Sequence, residues 1–328
     1  MIPVGDEVRL FALEGSTALG AGIAEALGRK LSAHEERSFE DGEHKTRPLD
    51  PVGGADVYVV HTLHGEATHS PNDKLCRLLF FIGALKDAGA ARVTAVAPYL
   101  CYMRKDVRTK PADPVTARYV AALFEAVGTD AVVTLDVHNP AAFENAFRCR
   151  TVALTAASLF VRYARALPGE RLCVVSPDPG GVKRAELVRE AIEAACGRPV
   201  GKGFVDKHRS AGIVSGELFV GDVVGATALI VDDLISTGGT LLRAARAARA
   251  AGARGVVTMV THGLFAAGAA PVIADPAIDR MVVTDSVPLS LPPGAARDKL
   301  DVLPAAPLLA EAIGRIHAGA SLADLFVF

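Results

Sequence analysis

Short apolar, β-branched runs alternate with Ala-, Leu- and Arg-rich helical stretches from one end of the 328-residue chain to the other. Val8–Leu13, Val57–Thr62, Arg92–Ala97, Ala131–Asp136, Leu172–Ser176, Thr227–Val231, Val256–Thr261 and Arg280–Thr284 each have the length and composition of a strand. Between them the helical pattern returns at Asn72–Ala88, Val115–Ala126, Val182–Ala195 and Thr240–Ala250. Parallel strands need long crossovers, so this rhythm predicts βαβ units and an α/β fold of mainly parallel sheets flanked by helices. Half of the residues are hydrophobic, only 5% are aromatic and Trp is absent. The core must therefore be built from Val, Leu, Ile and Ala, which suits strands covered on both faces.

The two halves echo one another. Leu85–Val96 runs parallel to Ala248–Met259, Thr129–Thr134 resembles Ile278–Thr284, and the strands Val57–Val60 and Ala228–Val231 occupy matching places. These matches predict a duplicated α/β domain with its junction near residue 150, in line with a length that favours two domains. The expected parts are residues 1–149, residues 150–304 and a tail, 305–328, packing back on the first domain.

Net charge is −2, without a Lys/Arg block, so nothing draws the whole chain toward nucleic acid or a membrane, and any anion site must be local. The five cysteines are widely spaced with no CxxC pair, and they read mostly as buried free thiols of a reducing cytosol. Met1–Leu13 lacks the pattern of a signal peptide, and no apolar run approaches the ~18 residues of a membrane helix.

The sharpest local signal is Ala228–Thr240, an apolar strand that ends in Asp232 and Asp233 and turns through Ser236, Thr237, Gly238, Gly239 and Thr240 into a helix. Open α/β sheets bind ligands at this edge. Backbone amides, hydroxyls and a helix N-terminus there suit a phosphate, while two carboxylates repel an anion unless they address hydroxyls or a metal. A sugar phosphate satisfies both halves. The acids would take the 2- and 3-hydroxyls and the loop the 5-phosphate.

This loop resembles the ribose-phosphate motif of type I phosphoribosyltransferases. Phe39–Glu43, Pro98–Asp106, Leu135–His138 and Ser176–Arg184, in that order, narrow the resemblance to the ribose-phosphate pyrophosphokinases, also called phosphoribosyl pyrophosphate (PRPP) synthetases. Asn72–Leu79 and Pro307–Phe326 look similar too, so nearly the whole chain is covered. The resemblance implies two tandem type I phosphoribosyltransferase-like domains, the first with ATP-site loops and the second with the ribose 5-phosphate site. It also implies Mg2+ as cofactor and the reaction of ATP with ribose 5-phosphate to give AMP and PRPP.

Taken alone, several of these segments have plainer readings. Phe39, Asp41 and Glu43 lie on an acidic, Gly-containing turn; the resemblance makes them part of the ATP site, contributed across a subunit boundary. Arg104, Lys105 and Asp106 belong to a basic loop, and the family assigns that loop to ATP. Lys105 stands where the family usually has Gln, which bears on nucleotide preference. A lone His138 after a strand is ordinarily structural; the resemblance pairs it with Asp178 as a magnesium residue. Pro179 replaces the family's usual Ala, whereas Gly180 and Gly181 are retained. Val205–Gly212 reads as a hairpin tip between two strand-like runs, and by resemblance Lys207 and Arg209 act from it as catalytic cations. His61, His64 and His69 have a spacing compatible with zinc, but no Cys or nearby third ligand secures a site, so they read as structural or solvent-exposed.

Two other readings stay open from sequence: a phosphoribosyltransferase that consumes PRPP, and a non-catalytic homologue that regulates an active synthetase. The resemblance further implies a cytoplasmic homo-oligomer, dimer-based and up to a hexamer. In the commonest branch of the family, a Ser and an Arg after the Phe39-type turn bind activating phosphate. Asp50–Gly54 contains neither, which predicts weak or absent phosphate activation.

Overall fold

Strands form where β-branched residues run together, and helices where Ala, Leu and Arg take over. The computed structural model describes residues 7–167, 171–210 and 213–326, with the side chains of 207–217 outside the description. The first half runs β1 (Val8–Ala12), α1 (Thr17–Ala26), β2 (His34–Ser38), β3 (His44–Pro48), β4 (Asp56–Val60) and α2 (Pro71–Asp87). It continues through β5 (Arg92–Val96), α3 (Thr116–Ala126), β6 (Ala131–Leu135), α4 (Pro140–Ala146) and β7 (Arg150–Leu154). The second half runs α5 (Ala157–Ala166), β8 (Leu172–Ser176), α6 (Val182–Cys196), the hairpin β9 (Gly201–Ser210) and β10 (Ile213–Gly221), β11 (Thr227–Ile235) and α7 (Gly239–Ala250). It closes with β12 (Gly255–Gly263), α8 (Ala269–Ala274), β13 (Arg280–Thr284), α9 (Ala295–Asp298), β14 (Leu300–Leu303) and α10 (Ala306–Ala318).

The chain divides into two units. The first comprises Met1–Leu154, Ser286–Pro288 and Ala305–Leu325; the second comprises Thr155–Asp285, Leu289–Pro304 and Phe326–Phe328. In the first, a parallel sheet of order β1-β4-β5-β6-β7 is accompanied by the separate ribbon β2-β3. β4 is buried along its whole length, as a parallel strand covered on both faces should be. α2 starts at a capping box, with Ser70 and Asp73 satisfying each other's backbone amides and Pro71 in the first turn. At the opposite edge of this sheet, fully buried Asp56 binds Arg92, accepts from Tyr58 at 3.0 Å and lies 2.7 Å from His317 Nδ1, which fastens α10 to the sheet.

The second sheet has the order β10-β9-β8-β11-β12-β13-β14 and is parallel except for the β9-β10 hairpin. The chain leaves β8 toward β9 on one side and returns to β11 on the other. The carboxyl ends of β8 and β11 therefore flank a topological switch point, where open α/β sheets bind their ligands.

The internal repetition is visible in these elements. β1, β4, β5, β6 and β7 correspond to β8, β11, β12, β13 and β14, and the ribbon β2-β3 to the hairpin β9-β10. Asp130 takes the amide of Val93 at 2.7 Å and Lys86 at 2.9 Å; Asp279 takes the amide of Val256 at 2.7 Å and Arg249 at 2.5 Å. The same knot recurs within each copy.

Two expectations change. β11 runs on to Ile235, so Asp232 and Asp233 sit within the strand, because β12 continues alongside to Gly263 and keeps pairing with it. Of the cysteines, only Cys101 and Cys173 are buried; Cys76 is exposed, and Cys149 and Cys196 are half-buried. Cys76 lies in α2 at a position the apolar core does not cover. No described helix is long and apolar enough to cross a membrane.

Candidate active site

At the end of β11, Asp233 is 3% exposed and Asp232 half-buried. Successive side chains of a strand normally face opposite ways, yet Asp232 folds back so that its Oδ1 accepts the Asp233 amide at 2.9 Å. Arg184, from the first turn of α6, then reaches both acids, with Nη1 3.3 Å from Asp232 Oδ1 and 3.2 Å from Asp233 Oδ1. Burial, followed by the hydrogen bond and like charge of Asp233, raises the Asp232 carboxyl well above the ordinary carboxylate range, while Arg184 opposes the shift.

The loop beyond is narrow. Gly238 has φ +82°, and a Cβ there would lie 2.7 Å from Val272 Cγ1 and 3.0 Å from Ile235 Cδ1. Only glycine combines that backbone with that contact. The amides of Leu264 and Ala266 donate to the carbonyls of Ile235 and Ser236 at 3.0 and 3.1 Å, pinning the loop from outside. α7 then begins without a side-chain cap, leaving its first amides and positive dipole end to serve an anion. Thr240 Oγ1 accepts from Arg243 at 3.1 Å, so a cation stands over the helix start.

Across the switch point, Ser176 Oγ donates to the Asp178 carbonyl at 2.6 Å, and Asp178 Oδ1 accepts the Gly181 amide at 3.1 Å. A Cβ on Gly181 would lie 2.8 Å from Ser176 Oγ, so a side chain there would have to displace the Ser176 hydroxyl. Lys207 and Arg209 belong to β9, where they pair in register with Glu217 and Val214 of β10; their side chains lie outside the described residues.

The first unit carries the remaining candidates. Phe39, Asp41 and Glu43 form the exposed tip of the β2-β3 ribbon. There the Phe39 amide donates to the Glu43 carbonyl at 2.8 Å, Asp41 Oδ1 accepts the Glu43 amide at 3.1 Å, and Arg37 lies 5.0 Å over the Phe39 ring. Arg77 of α2 steadies the ribbon by donating to Ser38 at 2.8 Å, and His44 stacks on Phe80. In the loop after β5, Arg104 is exposed, and Lys105 donates to Asp113 at 2.7 Å. Asp106 accepts from Asn139 at 2.7 Å. That bond ties the loop to the one carrying His138, which is exposed and follows Asp136 in a left-handed conformation, φ 42°.

His61 and His64 are buried, at 1% and 5% exposure. Lys74, also buried, lies 3.1 Å from Glu66 Oε1 and 3.3 Å from His64 Nδ1. Among the described residues, no three His, Cys, Asp or Glu gather in a way that could hold a metal ion. Sequence reasoning quoted Arg184 within Ser176–Arg184 without giving it a role, and missed Arg243. Arg243 follows Thr240 by one helical turn and was in principle legible; Arg184 meets the acids only through packing.

The N-terminal domain of ribose phosphate pyrophosphokinase matches residues 8–128, and the phosphoribosyl synthetase-associated domain matches residues 216–327. A ribose-phosphate pyrophosphokinase from Caldanaerobacter subterraneus subsp. tengcongensis is 37% identical over 98% of this chain and 98% of its own length. One from Listeria ivanovii is 36% identical over 98% of this chain and 97% of its own. The crystal structure of phosphoribosylpyrophosphate synthetase from Mycobacterium smegmatis superposes with a TM-score of 0.85 at 31% identity, covering 96% of this chain and 100% of that one. With this likeness, the two units take the two-domain, phosphoribosyltransferase-like architecture. The chain belongs to the ribose-phosphate pyrophosphokinase family.

Proposed function

We propose that the protein transfers the diphosphoryl group of ATP to the 1-hydroxyl of ribose 5-phosphate, releasing AMP and PRPP, with the sugar seated at Asp232–Thr240. The observation that carries this reading is the acid pair set beside an anion cradle at one switch point. Asp232 and Asp233 accept the 2- and 3-hydroxyls, while Ser236, Thr237, Gly238, Gly239 and Thr240 enclose the 5-phosphate. Phe39, Asp41, Glu43, Arg104, Lys105 and Asp106 serve ATP. This divides the labour between residues 1–149 and 150–304, with 305–328 as a tail.

Mg2+ fits what the described residues offer. It prefers oxygen ligands, retains waters and takes few protein contacts when phosphates are present. Asp178 would offer it an oxygen, and His138 would act directly or through water. When bound, it would supply positive charge against the phosphates. The chain's own part is alignment: the acids fix the ribose so that its 1-hydroxyl faces the β-phosphorus as the bond to AMP breaks. Lys207 and Arg209 supply positive charge toward oxygens that gain charge in the transition state. We further infer a cytoplasmic homo-oligomer built from dimers.

The test is incubation with ATP, magnesium and ribose 5-phosphate. AMP release that depends on the sugar and matches PRPP formation supports the reading. AMP formed equally without sugar, or none at all, contradicts it. Consumption of PRPP with a nucleobase and no AMP formation would instead indicate a phosphoribosyltransferase.

A further inference from the structure

Two carboxylates adjacent in sequence at the end of a buried strand pose an electrostatic problem. Asp233 is nearly inaccessible, and Asp232 leans on its amide. Like charges at such separation favour sharing a proton, and burial favours it further. A shared proton would convert one hydroxyl acceptor into a donor. The chain meets this with Arg184, whose planar guanidinium matches carboxylate geometry. Its place follows from the fold. The tight turn Pro179–Gly181 leads directly into α6, and side chains in a helix's first turn point back toward its N-terminus. Arg184 therefore lies over the carboxyl end of β11, with one nitrogen within 3.3 Å of an oxygen on each acid. Its side chain is 20% exposed, so its attraction is only partly screened by solvent.

We propose that Arg184 is a positioning residue for the sugar: it holds Asp232 and Asp233 as a jointly ionised pair able to accept both ribose hydroxyls. This rests on the reading of Asp232–Thr240 as the ribose 5-phosphate site and assigns that site a further residue. Burial and Asp233 raise the proton affinity of Asp232, and Arg184 is the neighbouring cation that opposes them. The consequence is selectivity. An ionised pair rewards each hydroxyl with a charge-assisted bond, so the protein distinguishes ribose 5-phosphate from 2-deoxyribose 5-phosphate. A pair that shares a proton loses much of that distinction.

Calorimetric titration of both sugars into the full-length protein, Arg184→Gln, Arg184→Met and Arg184→Lys tests this, with thermal unfolding identifying the neutral variants that fold. The wild type should bind ribose 5-phosphate more tightly than the deoxy sugar. A folded neutral variant should lose about tenfold in affinity for ribose 5-phosphate and less for the deoxy sugar. Arg184→Lys, which keeps the charge but not the fork, should retain most of the preference. If both neutral variants unfold, Arg184→Lys decides, since loss of the preference with the charge retained overturns the proposal. Unchanged or tighter ribose 5-phosphate binding in a neutral variant overturns it, as does equal weakening for both sugars, the mark of a merely structural role. A wild type that binds neither sugar would defeat the site reading itself, an outcome distinct from a wild type that binds while the variants match it.

Discussion

At the scale of single residues, the site depends on groups whose options are few. Gly238 combines a left-handed backbone with a contact that a methyl group would violate. Gly238→Ala should cost roughly 1–3 kcal/mol of stability and weaken sugar binding, as seen in urea unfolding and calorimetry. Lys207→Ala should leave ribose 5-phosphate binding close to wild type and lower turnover by ~10²–10³; unchanged turnover would remove Lys207 from the mechanism. Asp232, Asp233 and the Thr237–Thr240 bend were legible in the sequence because strand, acids, loop and helix follow one another without a gap. Arg184 was not. It stands 48 positions before Asp232, and only the packing of α6 against β11 brings it to the acids.

Secondary-structure elements show how one architecture ends in different side chains in its two copies. Asp56 pairs with Arg92 and Thr227 with Gly255, and the Asp130 and Asp279 knots place those partners in equivalent positions. By that register His61 and Thr62 occupy the places of Asp232 and Asp233. In the first unit the strand end is closed by buried histidines and an internal Lys74–Glu66 pair, so no acid pair is offered there. Burial first, then the Lys74 charge, lowers His64 to about 4 and His61 well below the ordinary histidine range. Glu66 opposes the shift at His64, while Arg77 and His69 add to that at His61. Both histidines fold neutral, so the stability they confer is complete above the unfolded value near 6.5 and is lost as pH falls toward 4. Urea unfolding of the first unit should therefore shift to lower denaturant between pH 6.5 and 4, and His64→Gln should flatten that dependence. A profile unchanged by the substitution would contradict it. The strands of both central sheets were legible from their apolar runs. The continuation of β11 to Ile235 was not, because the acids that end the apolar pattern do not end the pairing with β12.

The whole molecule repeats one topology twice, with different side chains at the matching strand ends. The repetition was legible as paired segments around Leu85–Val96 and Ala248–Met259, whose Asp-anchored turns are in fact equivalent. What local pattern could not reveal was the staple at the other end of the first sheet. There Asp56, Arg92, Tyr58 and His317 join residues 261 positions apart. Asp56→Ala leaves Arg92 without its buried partner and should destabilise the first unit by ~3–5 kcal/mol, with faster hydrogen exchange along α10. Activity should show little response to inorganic phosphate, since Asp50–Gly54 lacks the Ser and Arg expected of a phosphate-activated relative; a strict phosphate requirement would contradict this. Where the pentose binds is tested by a crystal structure of the protein soaked with ribose 5-phosphate and magnesium. The 5-phosphate is expected against residues 236–240 and the 2- and 3-hydroxyls on Asp232 and Asp233; sugar density elsewhere, or none at saturating concentration, would contradict this placement.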